Sequence, residues 1–304
     1  MCGTKGGIRG YRPLPFTERV PAKEDLRYHL FVVGRSGTCY REGGMKGVTG
    51  TGSAGVKAVC VIPARYHSLR FPAKVLSYLG DKPLLEWVWL AAGRCSGFAE
   101  IVFAIDHPKT ATLIDGFGGR YVMTRRECRS GTDRLIEVMG SGLLQGDVWV
   151  NWQGDEPFIT PRMIDDLLRD SLGADIGVVT LKKRIESKEE VADPNVVKVV
   201  TDSMRRALYF SRFPVPYRRG SEGGDAVRYK HIGLYAYKRE TLAKIATLPT
   251  SPLAEAEQLE QLRFLEHGIT VEVRETREES QSIDTKEDLL DALKKISSLP
   301  AEAN

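Results

Sequence analysis

From Lys57 onward short apolar runs alternate with amphipathic stretches every 20 to 30 residues, and this rhythm constrains the fold more than any other feature of the chain. Lys57-Ala-Val-Cys-Val-Ile-Pro63 reads as a buried strand, and residues 83–93 as a helix with Leu84, Leu85, Trp87, Val88 and Leu90 facing inward. Strands at 100–105, 121–123 and 148–152 then alternate with helices at 109–115, 132–139 and 160–170, the last entered through Pro161. Such alternation predicts right-handed βαβ units, hence an α/β fold on a mostly parallel sheet with helices on both faces.

After about residue 172 the rhythm loosens. Strands are predicted at 176–181, 196–201, 207–210, 232–237 and 271–274, and a charged turn or short helix at 182–190. Helices are predicted at 240–246, 254–266 and 286–296. The expected organisation is one α/β domain over 57–297, with a smaller mixed-sheet lobe formed largely from about 172–270 and a C-terminal tail at 298–304.

Residues 1–56 differ in kind. They hold nine Lys/Arg against four Asp/Glu, whereas the remaining 248 residues hold 35 against 36, so the formal charge of +4 belongs to this extension and not to the body. With twelve of the thirty glycines they have little side-chain surface to offset ordering entropy, and they read as a flexible basic extension. A natural start at Met45 is the alternative. A body without net positive charge or a basic-aromatic stripe argues against nucleic acid as partner. No apolar run approaches the roughly 18 to 20 residues of a membrane span. Five scattered cysteines without a CxxC argue against a disulfide scaffold and predict the reducing cytoplasm.

Three constellations could carry chemistry. Directly after the first strand, Pro63-Ala-Arg-Tyr-His-Ser-Leu-Arg-Phe-Pro-Ala-Lys74 sets Arg65, Arg70 and Lys74 beside Ser68, at the strand end that opens onto the ligand crevice of such sheets. Arginine's planar fork and lysine's point charge suit a polyphosphate, although the loop is neither a Walker A nor a GxGxxG sequence. A basic surface loop is the other reading. Asn151-Trp-Gln-Gly-Asp-Glu-Pro157 ends the fourth strand with two carboxylates and an amide suited to a magnesium ion bridging carboxylate and phosphate oxygens. Asp284 could join it, or Asp284 or Thr285 could cap the last helix, with Asp288 in its first turn. In the segment 124–134, Ser130-Gly131-Thr132 offers hydroxyls and free N–H groups at a helix start, for a base edge or a sugar. Arg212, His231, Tyr235, Glu260 and Gln261 are polar members of otherwise apolar segments, each with an ordinary structural explanation. Cys128 shows no reason to be a nucleophile.

The ordered set VCVIPARYHSLRFPAK, VMTRRECRSGTDR, NWQGDEP, DPNVVKVV, ALYFSR, HIGLYAY, LEQLR and IDTKEDL resembles the 3-deoxy-manno-octulosonate cytidylyltransferases, which make CMP-Kdo for lipopolysaccharide, over about residues 57–297. The resemblance implies a Rossmann-like nucleotidyltransferase fold, CTP and Kdo as substrates, magnesium as cofactor and a homodimer. Arg65 and Lys74 would hold the CTP phosphates, with Ser68 and Arg70 shaping their loop, and Arg125, Ser130 and Gly131 would lie along the cytidine. Gln153 and Asp155 would face both substrates, Asp155 and Asp284 would hold the metal, and Arg212, His231, Tyr235, Glu260 and Gln261 would line the sugar acid.

Several positions depart from the family pattern. Ala73 stands where glycine is usual, which is tolerable if its φ is negative and strained otherwise. Cys128-Arg129 replaces His-Gln and adds a cation beside the nucleotide site; Ser282 replaces a glycine, Lys286 a proline and Ala254 a glutamate. The implied reaction is attack by the anomeric 2-hydroxyl of Kdo on the α-phosphorus of CTP, with pyrophosphate leaving. The rival readings are a cytidylyltransferase for sialic acid or 8-amino-Kdo, and a catalytically silent nucleotide-binding protein of the same fold.

Overall fold

The computed structural model describes residues 56–68, 71–169, 172–173, 175–219 and 226–297. The predicted extension up to residue 55, the 298–304 tail and Arg70 lie outside the described residues. The chain begins with β1 (Ala58–Ala64), a 3₁₀ turn at Lys74–Leu76 and a two-stranded hairpin of β2 (Tyr78–Leu79) and β3 (Lys82–Pro83). It continues through α1 (Leu84–Gly93), β4 (Glu100–Ile105), α2 (Pro108–Gly116), β5 (Tyr121–Met123), α3 (Gly131–Gly140), β6 (Val148–Asn151) and α4 (Pro161–Leu168). The second half holds β7 (Val178–Arg184), α5 (Lys188–Ala192), β8 (Lys198–Thr201), β9 (Ala207–Ser211), β10 (Tyr229–Lys238) and α6 (Arg239–Ile245). Last come α7 (Pro252–Glu257), α8 (Gln261–Glu266), β11 (Val271–Glu275) and α9 (Lys286–Ser297).

The central sheet runs β11-β7-β10-β6-β1-β4-β5, with β8 and β9 joined to it through β10. β1 pairs in parallel with both β4 and β6, and β4 with β5. The mixed part expected of the second half arises because β10 lies antiparallel to both β6 and β7. The chain leaves β1 toward β4 on one side and returns to β6 on the other, so the carboxyl ends of β1 and β6 flank a topological switch point.

Alternation along β1 explains its continuous apolar run. Ala58, Cys60, Ile62 and Ala64 join one core with α1 and α4, while Val59 and Val61 join another with α3, α6 and α8. A third, smaller core sets Ile283, Ala292 and Ile296 from α9 and its approach against Leu79 and Leu84. This brings a late stretch of chain beside the loop that follows β1.

Two segments differ from the sequence expectation. The helix predicted at 254–266 is two helices, broken at Gln258, whose φ of 53° is left-handed and ends α7. The charged stretch 182–190 is shared between the end of β7 and the start of α5, because Lys182, Lys183 and Arg184 pair with β10.

Candidate active site

The loop after β1 places its lysine by way of an unusual backbone. Ala73 has φ 53° and ψ 31°, a left-handed conformation that strains an L-residue with a Cβ. It leads into the 3₁₀ turn, fixed by Lys74 N–H to Phe71 O at 3.1 Å and Ser77 N–H to Lys74 O at 2.9 Å. The buried Lys74 ammonium donates to Asp155 Oδ2 at 2.5 Å and to Asp284 Oδ1 at 3.0 Å. Burial pulls its pKa down, but the two carboxylates outweigh that and hold it above the ordinary lysine value.

Asp155 and Asp284 meet through backbone as well as side chain. Ile283 N–H donates to Asp155 O at 2.9 Å, and the buried Ile283 anchors that contact. The helix cap is Thr285: its Oγ1 accepts from Asp288 N–H at 3.1 Å, and Asp288 Oδ2 accepts in return from the N–H groups of Asp284 and Thr285. Capping therefore leaves the Asp284 carboxylate to the cavity. Gly154 brings the β6 end against β1, since a Cβ there would lie 2.9 Å from Pro63 O.

A cavity of about 360 Å³ lies at the switch point and gathers Arg65, Ser68, Lys74, Ser130, Gly131, Gln153, Asp155 and Asp284 from the predicted set. Ser130 caps α3, its Oγ accepting from Asp133 N–H at 3.1 Å, while Gly131 permits a close approach of Gln153. Gln153 donates to Asn151 Oδ1 at 2.9 Å, which fixes its amide in the cavity wall. Arg129, the extra cation, also lines the cavity, whereas Arg125 is mostly exposed and bonded to Glu137 through both its backbone N–H and its Nε. Cys128 faces the cavity as a neutral thiol, pushed up to about 12 by burial and its hydrogen bond to Glu137.

The predicted sugar-side residues take a different arrangement. Glu260 and Gln261 line a second cavity with Ser130 and Arg129, which are common to both cavities. Glu260 accepts from Thr132 Oγ1 at 2.5 Å, and burial raises its carboxyl above the usual value despite that bond. Tyr235 and His231 share β10, with Tyr235 buried and its ring stacked on Tyr237. His231 is pushed down to about 3 by burial, so its imidazole is neutral. Its Nε2 lies 3.0 Å from Thr180 Oγ1, whose one hydrogen also has the Ile232 and Leu234 carbonyls as acceptors. If Thr180 donates to a carbonyl, Nε2 carries the imidazole proton and donates to Oγ1. Arg212 is engaged by the carbonyls of Glu257, Pro194 and Gln258 at 2.7, 3.0 and 3.3 Å, and with His231 and Tyr235 it lies outside the lining of both cavities.

Other residues matter that the sequence did not single out. Arg134 lines the first cavity and is held by Asp106 Oδ2 at 2.8 Å, both side chains being buried, while Asp106 Oδ1 accepts from Tyr66 N–H in the basic loop. Asp106 follows directly on the apolar run of β4, the same strand-end placement that drew attention to Asp155. Glu156, bonded to the Ser280 hydroxyl, is pushed up to about 7 by burial, with Asp155 and Asp284 adding and Ser280 and Lys74 opposing.

Among the described residues no three His, Cys, Asp or Glu side chains converge as a metal cluster. Asp155 and Asp284 nevertheless present two hard oxygen donors to a single cation, a donor set that suits magnesium when phosphates and water complete its shell.

A sheet switching direction at a cavity walled by phosphate-suited cations and two carboxylates defines the class of Rossmann-like nucleotidyltransferases. The solved structure of an inositol-1-phosphate CTP transferase from T. maritima shares this fold, with TM-score 0.57, 12% identity and coverage of 81% of this chain and 99% of that one, a likeness of fold alone. The family model described as Cytidylyltransferase matches residues 59–279. A 3-deoxy-manno-octulosonate cytidylyltransferase of Solibacter usitatus is 45% identical over 234 residues, 77% of this chain and 92% of that protein. A solved CMP:2-keto-3-deoxy-manno-octonic acid synthetase complexed with CTP matches at TM-score 0.74 and 41% identity, covering 79% of this chain and 98% of that one. The chain belongs to the 3-deoxy-manno-octulosonate cytidylyltransferase family.

Proposed function

We propose that this chain transfers CMP from CTP to 3-deoxy-D-manno-octulosonate, giving CMP-Kdo and pyrophosphate for lipopolysaccharide synthesis. The observation that carries the reading is the convergence of Lys74, Asp155 and Asp284, from three distant stretches, on the cavity at the switch point. Ser130, Gly131 and Gln153 form the wall suited to the cytidine, and Arg65, Ser68 and Lys74 the wall suited to the triphosphate. Arg65 and Lys74 neutralise charge that develops on the departing pyrophosphate, so the barrier falls by electrostatic placement without a covalent intermediate. Asp155 and Asp284 would hold magnesium, which supplies polarisation of the α-phosphate and a lowered pKa for the attacking 2-hydroxyl. Arg134, fixed by Asp106, keeps the α3 start and the basic loop in register across that wall.

On the sugar side we assign Gln153, Glu260 and Gln261, together with His231 and Tyr235 of β10. Arg212 supports this side by fixing the chain around Glu257 and Gln258 just before Glu260, and it retains further N–H donors for a carboxylate. A homodimer belongs to the same reading, which sedimentation of the full chain tests. No helix among the described residues is long and apolar enough to cross a membrane. Use of CTP and the free thiols of Cys60, Cys95 and Cys128 support the cytoplasm as the place of reaction.

The test is pyrophosphate release with CTP, magnesium and a panel of Kdo, 8-amino-Kdo and sialic acid. Kdo is expected to be the preferred acceptor; preference for either analogue reassigns the substrate, and release with none of them points to a silent nucleotide-binding protein.

A further inference from the structure

The Lys74 side chain is only 9% exposed and lies between two more accessible carboxylates, Asp155 at 25% and Asp284 at 34%. The two carboxylates it contacts are the ones read as the metal ligands. An ammonium and a divalent cation repel at such separations, and two carboxylates cannot compensate both at one position. The same lysine lines the cavity proposed for the triphosphate, where a second set of anionic oxygens becomes available once the nucleotide binds.

We propose that Lys74 is the resident counter-ion of the metal site, held between Asp155 and Asp284 in the nucleotide-free enzyme and handed to the triphosphate when a divalent cation enters with CTP. The inference rests on the reading of Asp155 and Asp284 as the metal ligands. The backbone of Lys74 is fixed on both sides by the 3₁₀ turn, so the exchange is a rotation of the side chain within a standing loop. Metal entry without nucleotide displaces the ammonium with no new partner to receive it, and is weak. Entry with CTP exchanges partners for both cations and is strong. The charge on this patch thus stays compensated throughout the cycle, and the metal is recruited chiefly as its nucleotide complex.

The test uses Mn²⁺ as the probe on the full chain without nucleotide, with free Mn²⁺ counted by electron paramagnetic resonance. Lys74→Met should bind Mn²⁺ at least about tenfold more tightly than the wild type, and Mn²⁺ should raise its melting temperature by more than it raises that of the wild type. Adding Asp155→Asn to Lys74→Met should remove the gain. Equal Mn²⁺ affinity in the wild type and Lys74→Met overturns the proposal, and Lys74→Gln repeats the comparison if Lys74→Met does not fold. A gain that survives Asp155→Asn locates the ion elsewhere and overturns it as well. The metal-site reading is checked separately, by water-proton relaxation enhancement of Mn²⁺ with CTP present. Loss of that enhancement in Asp155→Asn, with no gain in Lys74→Met, would keep the metal site and discard the counter-ion; enhancement unchanged in Asp155→Asn would discard the metal site itself.

Discussion

The backbone N–H of Ile283 donates to the carbonyl of Asp155 at 2.9 Å, so the chain segments that bear the two cavity carboxylates are bonded to each other before any ligand binds. Ile283 is buried against Leu79 and Leu84, which makes α9 the element that delivers Asp284. Preorganisation of this kind lets the two carboxylates serve one cation without a loop having to close over it.

Gly131 provides a first prediction, because a Cβ at this position would lie 2.9 Å from Gln153 Nε2 and 3.1 Å from its Oε1. Gln153 is the end of a flexible side chain and can yield, so Gly131→Ala should fold with an unchanged or raised melting temperature. Its kcat/KM for CTP should nevertheless fall by about tenfold, since the amide leaves the cavity wall. Steady-state kinetics beside thermal melts check this, and an unchanged kcat/KM would remove Gln153 from the nucleotide site.

Ala73 carries a second. A left-handed conformation costs an L-residue roughly 1–2 kcal/mol, whereas glycine adopts it freely at an entropic cost of about 0.5–1 kcal/mol. Ala73→Gly should therefore stabilise the protein by up to about 1 kcal/mol, and Ala73→Val should destabilise it by more than that. Thermal unfolding of the two variants against the wild type decides the sign.

The first half of the fold was legible because strands such as β1 and β6 are buried on both faces and so carry unbroken apolar runs between turn residues. The break at Gln258 was not legible, since neither glycine nor proline marks it. The hairpin of β2 and β3 is two residues per strand and leaves no period to read. At the site, the strand-end residues Lys74, Gln153 and Asp155 converge as their positions after β1 and β6 suggest. The place of Arg212 was hidden because its guanidinium is bonded to backbone carbonyls, which no side-chain pattern encodes. The part played by Asp106 went unread although the sequence signal, a carboxylate directly after a buried strand, was present.

His231 makes the third prediction. Burial lowers its pKa to about 3, below the ordinary value of 6.5, so between those values the unfolded chain binds a proton that the folded protein does not. The stability it contributes is complete above about pH 6.5 and is lost as pH falls toward 3. Urea melts of the wild type and His231→Gln across pH 4 to 8 should show their stability difference shifting against the wild type on the acid side only. A difference independent of pH would mean that His231 binds its proton equally well in the folded protein and the unfolded chain.

The account depends most on Asp155 and Asp284 acting together on one ion in cytidylyl transfer. Asp155→Asn and Asp284→Asn keep side-chain size and remove a charge, so each variant should keep its circular dichroism spectrum. The decisive measurement is kcat/KM for CTP, with Kdo as acceptor and magnesium titrated, in the wild type, the two single variants and the double variant. The account predicts a loss of at least about a hundredfold in each single variant, and a double variant less than multiplicatively worse. Near wild-type activity in either single variant at low magnesium, or losses that multiply fully, would contradict a shared metal site.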